Sequence, residues 1–170
     1  MARLDLKRIV VVVAVACTVL VAAMQLHWRP GCVRMEGLAW LPEPEVVDVI
    51  KQRQLRGRLL TWFGWGEYAI WHFSPDLKVS FDGRRETVYS DPFAAAHIAL
   101  YWTPEQQRGF LEKLNADYAW LPRTLPLALM LQREGWTIVF AGPQSVVLSR
   151  RPLTASSGQP VDAVRCFPGP

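Results

Sequence analysis

Two apolar runs separated by a short helical stretch constrain this chain more than any other feature. Leu59 to Phe63 breaks at Gly64-Trp65-Gly66, and Lys78 to Phe81 ends at Asp82-Gly83-Arg84-Arg85-Glu86. Short runs bounded by turn residues read as strands, here Arg58–Phe63 and Lys78–Phe81, with Gly66–Phe73 as the helix between them. In a parallel sheet both closing loops lie at the carboxyl edge, where such folds bind ligands. Most of the unusual chemistry of the sequence sits in these two loops.

The rest of the chain continues the alternation. Val46, Val47, Val49 and Ile50 mark one face of a helix over 43–54, with acidic Glu43, Glu45 and Asp48 near its start and Lys51 and Arg53 near its end, complementing the helix dipole. Asp91-Pro92 reads as an N-cap followed by proline at the first helical position, opening a helix to about Trp102. Thr103-Pro104-Glu105-Gln106 repeats the signal and predicts a helix to about Asn115. Asp117–Leu121 is a strand, Thr124–Glu134 a helix stopped by Gly135, and Trp136–Phe140 and Ser145–Leu148 are strands joined by the turn Ala141-Gly142-Pro143-Gln144. The pattern predicts a small α/β, Rossmann-like domain, a mostly parallel sheet with helices on both faces and a C-terminal hairpin, preceded by one transmembrane helix.

That last element comes from Ile9–Leu26, a stretch without an ionised side chain. At ~1.5 Å per residue it spans about 27 Å, close to the hydrocarbon thickness of a bilayer. Arg3, Lys7 and Arg8 precede it and Trp28 follows it, which orients the N-terminus toward the cytoplasm. The expected organisation is a cytoplasmic segment 1–8, a span 9–26, a connector 27–41, an extracytoplasmic domain 42–151 and a Pro/Ser/Gly-rich tail 152–170, with the protein held in the inner (cytoplasmic) membrane. A removable signal peptide is the alternative, since Val21-Ala22-Ala23 resembles a small-residue cleavage site. Either way the domain is exported. Cys32 and Cys166 then stand near the two ends of the exported part, where an oxidising compartment permits a disulfide between them and free thiols are the alternative.

Composition excludes several classes. The chain is 51% hydrophobic with eight Trp, too apolar for disorder, and its net charge of +4 comes from scattered arginines rather than a basic tract. Nucleic acid is therefore not an expected partner. No C-x-x-C, H-E-x-x-H or G-x-S-x-G pattern occurs, so neither a metal, a cofactor nor a Ser/His/Asp nucleophile is expected.

Gly64-Trp65-Gly66-Glu67-Tyr68-Ala69 satisfies the dinucleotide fingerprint G-x-G-x-x-A after a strand and before a helix, and Asp82 ends the next strand. A nucleotide-binding enzyme of NAD or S-adenosylmethionine type is the alternative function on this ground. Trp65 and Tyr68 crowd the loop, however, and Glu67 puts negative charge where a phosphate would sit.

The segments W-G-E-Y-A-I-W-H and P-D-L-K-V-S-F-D-G-R-R-E-T-V-Y together resemble the C-terminal extracytoplasmic domain of bacterial multi-spanning glycosyltransferases, the polyprenyl-phosphate-sugar-dependent class related to mannosyltransferases. Trp65, Gly66, Glu67, Tyr68, Ile70 and Trp71 match one motif of that family, and Lys78, Val79, Asp82, Gly83 and Arg84 the other. The resemblance covers 42–151 and implies an accessory or binding module, with a lipid-linked sugar and a multi-span membrane protein as partners. That family carries its catalytic acid within a bundle of many membrane helices. One hydrophobic span supplies no such bundle, so no catalytic residue carries over and the chain is expected to be non-catalytic alone, as a fragment, a split subunit or an independent module.

The candidate ligand-binding residues are Trp65, Glu67, Asp82, Arg84, Arg85 and Glu86. Arginine forks suit a carboxylate or phosphate. The structural reading of the same cluster is a loop tied by ion pairs, with Asp82 accepting N–H bonds across the Gly83 turn and Glu67 pairing with Arg84 or Arg85. His72 and His97 read as core histidines, and Trp62, Trp65, Trp71 and Trp102 chiefly as core and interface mass.

Overall fold

The computed structural model describes residues 6–27 and 41–153, with the side chains of 6–8, 24–27, 85 and 86 outside that description. Cys32 and Cys166 fall outside the described residues, as does most of the expected tail.

Helix α1 runs Leu6–His27. The side chains described in it, those of 9–23, are all exposed. Thr18, which would otherwise leave a bare hydroxyl on an apolar rod, donates to Ala14 O at 2.8 Å. Among the described residues no helix is long and apolar enough to cross a membrane. The stretch expected as a span, Ile9–Leu26, is found as helix within α1, and its reading as a transmembrane helix is not supported.

The body that follows is a five-stranded mixed sheet in the order β2-β1-β3-β5-β4. Strands β1 (Gly57–Thr61), β2 (Leu77–Val79) and β3 (Tyr118–Pro122) are parallel neighbours, while β5 (Ser145–Ser149) pairs antiparallel with both β3 and β4 (Thr137–Ala141). The terminal hairpin was expected; its second strand lies in the interior of the sheet rather than at its edge. The reason is legible in its side chains: all five residues of β5 are buried, as a strand covered on both faces must be.

Strand alternation sorts the core into two layers. Leu59, Trp120 and Val147 point to the face covered by α2 (Glu45–Gln52) and α3 (Gly66–Phe73), where Val46, Ile50, Ala69 and Phe73 meet them. Leu60, Ala119, Leu121, Val146 and Leu148 point to the opposite face and pack on Leu100 and Tyr101 of α5 (Asp91–Trp102) and on Leu127, Met130 and Leu131 of α7 (Pro126–Arg133). Helices cover both faces, as the alternating pattern predicts.

Local differences have local causes. Arg85–Val88 forms the one-turn helix α4 where the sequence suggested only a charged loop. Helix α5 begins at Asp91 itself, with Ser90 as the flanking residue and no side-chain cap, so Asp91 is not the N-cap. Thr103–Gln106 forms a turn, Gln106 N–H bonding Thr103 O, and α6 spans only Arg108–Leu114. Gly135 adopts φ +88° and stops α7 as expected.

Candidate functional site

The carboxyl edge is built first by the end of β1. Its chain turns through Phe63–Trp65, which drives the Trp65 indole inward until it is 1% exposed and lies 5.1 Å from the Trp120 ring. Gly66 then opens α3 against the end of β2. A Cβ on Gly66 would lie 2.5 Å from Phe81 O and 2.6 Å from Asp82 Cα. The second fingerprint glycine therefore lets a helix touch a strand, and the space beside it is filled by protein backbone.

The charged residues of the two loops interlock. Glu67, in the first turn of α3, accepts the Gly83 N–H through Oε1. Arg84, the described arginine of the expected pair, bonds Asp82 instead, and the Arg85 side chain lies outside the described residues. Asp82 is fully buried. It accepts Arg84 N–H and Nε–H through Oδ1 at 2.9 and 2.8 Å, and Arg84 Nη2 and Tyr89 Oη through Oδ2 at 2.8 and 2.9 Å. The Arg84 side chain remains 58% exposed above it. These bonds, the side-chain bond from Arg84 foremost, hold the Asp82 carboxyl down at about 2 against the opposing pull of burial. Asp82 raises Arg84 in return. Burial, then the bond to Asp82, pushes the Tyr89 phenol up to about 12. Arg85 and Glu86 contribute backbone to α4 beside this cluster.

Chemically this is a latch. The two carboxylates of the motif hold loop backbone and a guanidinium, and an anion would meet Arg84 only over the buried charge of Asp82. Among the described residues no group of three or more His, Cys, Asp or Glu could hold a metal ion.

Behind the latch, His97 is fully buried among the rings of Phe81, Phe93, Tyr101 and Phe110. Its Nε2 lies 2.9 Å from Ser80 Oγ, while Nδ1 finds no partner on another residue and has only its own backbone nearby. Burial lowers its pKa to about 4, so the ring is neutral near pH 7. It is a core histidine, as read. His72 is also lowered, by partial burial first and by Lys51 second.

The tryptophans divide. Trp65 is core, but Trp71 and Trp102 are 58% and 57% exposed, contrary to the expectation that they are mainly buried mass. Trp102 touches Trp62 edge-on at 6.4 Å, and Trp62 touches Tyr101 at 4.8 Å, so an aromatic step runs from the core to the surface.

Sequence reasoning missed one buried network. Glu43, read as a helix-dipole residue, is 7% exposed and reaches across the fold to the β4–β5 turn. Its Oε2 accepts Ser145 N–H at 2.7 Å and the Ser145 hydroxyl, which in turn accepts from Trp120 Nε1 at 3.2 Å. Gly142 leaves room for that carboxylate, since a Cβ there would lie 2.3 Å from Glu43 Oε1. The available signal was a carboxylate flanked by Pro42 and Pro44, held outside the helix that follows. No family model, no curated protein and no solved structure matches the chain.

Proposed function

We propose that the chain is a non-catalytic accessory module of a glycosyltransferase-like system, held at the outer face of the inner membrane by α1, where it presents a lipid-linked sugar or docks on a multi-span membrane protein. The observation that carries this reading is the commitment of Glu67 and Asp82 to the latch between α3 and β2. Among the described residues the two loop carboxylates that could do acid/base work at the carboxyl edge, Glu67 and Asp82, are already engaged in holding it together, which suits a scaffold better than an enzyme.

Two further features support it. A helix apolar on all sides belongs in lipid or in another protein rather than in water, and the described side chains of α1 are exposed and apolar apart from Thr18 and Cys17. Trp71 and Trp102 stand out from opposite faces of the sheet, a form of exposure that interaction surfaces use.

Membrane fractionation and co-purification in mild detergent test the proposal. The chain should sediment with inner membranes and bring a multi-span protein with it. A chain found in the cytosol, always solitary, or turning over a glycosyl donor unaided would defeat it.

A further inference from the structure

At the amino edge of the sheet, on the side opposite the latch, α6, the start of β3, the end of α7 and the end of β5 enclose a cavity of about 120 Å³. A buried water needs only ~10–15 Å³ by the same measure, so this space takes a small organic ring. Trp136, half-buried, supplies its aromatic wall, Ala116 lies beside it, and Arg108, Glu112, Glu134 and Arg150 form its rim.

The rim has an informative charge balance. Two guanidinium groups and two carboxylates sum to zero. Arg108 and Glu134 are already paired at 2.5 Å. Arg150 gives one N–H to Asn115 Oδ1 at 3.2 Å and keeps the rest of its fork, while the Glu112 carboxylate has no hydrogen-bond or ion-pair partner among the described residues. A free acceptor and a free donor thus flank an aromatic wall. With charges of both signs balanced around the rim, and Arg108 paired with Glu105 and Glu134, neither a phosphate nor a cation gains a net attraction that offsets its desolvation. A neutral polyol meets no such penalty. Its hydroxyls can donate to Glu112 and accept from Arg150 at once, and the apolar face of its ring can cover the indole.

We propose that this cavity is a subsite for a neutral pyranose sugar, with Glu112 and Arg150 binding hydroxyls and Trp136 covering the ring. The choice of sugar over other polyols rests on the glycosyltransferase-like reading above; the charge balance and the cavity do not.

The test is titration of the full chain in an amine-oxide detergent, which carries neither sugar nor phosphate. Methyl glycosides of neutral hexoses and N-acetylglucosamine are compared with inorganic phosphate, following the indole N–H resonance of Trp136, assigned with Trp136→Phe. A saturable shift with a neutral sugar and none with phosphate is expected. Because Glu112 has no partner among the described residues, Glu112→Ala should leave the melting temperature unchanged and weaken sugar binding about tenfold, the typical effect of losing a charged hydrogen-bond acceptor. A silent Trp136 with every sugar, a preference for phosphate, or equal affinity in Glu112→Ala overturns the subsite. Sugar binding by a chain that stays solitary would sink the accessory role alone, whereas a co-purifying chain with a silent Trp136 would sink the subsite alone.

Discussion

Acid should destabilise this fold through His97 well before it reaches the carboxylates. The ring is fully buried, with Ser80 as its side-chain partner, and its folded pKa lies at about 4, against about 6.5 in an unfolded chain. Protonation gives Nδ1 a hydrogen that no neighbouring residue accepts. Asp82, which follows the Phe81 ring stacked on His97, is occupied by Arg84 and Tyr89. In the window between the two pKa values the unfolded state binds the extra proton, so stability rises with pH there and falls on acidification. The contribution is complete above about pH 6.5, and integrating to about pH 4.5 gives a loss of roughly 2.5 kcal/mol. Asp82 acts in a lower window, its contribution full above its ordinary value of 3.8 and lost as pH falls through about 2. Urea unfolding of the detergent-solubilised chain, followed by tryptophan fluorescence at about pH 7, 5.5 and 4.5, measures the slope. His97→Gln keeps a partner for Ser80 without titrating, so the variant should lose about 2.5 kcal/mol less than the parent over this range. Equal acid sensitivity of the two chains, or a His97 resonance titrating near its ordinary value, would refute the reasoning.

Other consequences follow from packing. Gly66→Ala puts a methyl group 2.5 Å from Phe81 O; overpacking against backbone outweighs the gain in helix propensity, for a net loss of about 2 kcal/mol and roughly 10 °C in melting temperature. An unchanged melting temperature would show that α3 can back away from β2. Glu43→Ala strands the Ser145 N–H and hydroxyl and should cost about 2–4 kcal/mol in urea unfolding, with Glu43→Gln recovering part of it; no loss would mean that the network is dispensable. Nicotinamide dinucleotides and S-adenosylmethionine should leave the melting temperature unmoved, because the fingerprint glycine abuts backbone and Asp82 is sealed. Binding at 100 times Kd would instead add about 2.7 kcal/mol and restore the nucleotide reading.

The parts of the fold legible in the sequence are those set by neighbours in the chain. Helix Gly66–Phe73 has the expected bounds, since a glycine turn, an acidic first turn and an apolar face all lie within a few residues. The bond from Arg84 N–H to Asp82 Oδ1 was readable for the same reason. What escaped depends on distant partners. Glu43 engages a turn 102 residues away, and no local pattern separates such a carboxylate from a dipole-complementing one. Glu67 meets the Gly83 backbone N–H, because α3 sits so close on β2, a contact that the sequence order of the two loops did not indicate. The same limit applies to Trp71 and Trp102, whose exposure is decided by which side of their helices the sheet occupies.

The position of β5 has a bearing on how the molecule is made. Strand β3 bonds to β1 on one side and to β5 on the other, while β4 bonds to β5. Before Ser145–Ser149 is made, the described strands form two unconnected pieces, and the β3 edge over Tyr118–Pro122 has no partner on that side among them. Among the described strands the keystone is the last to be synthesised. An open strand edge of this kind is a template for pairing with another chain, and β5 is what closes it here.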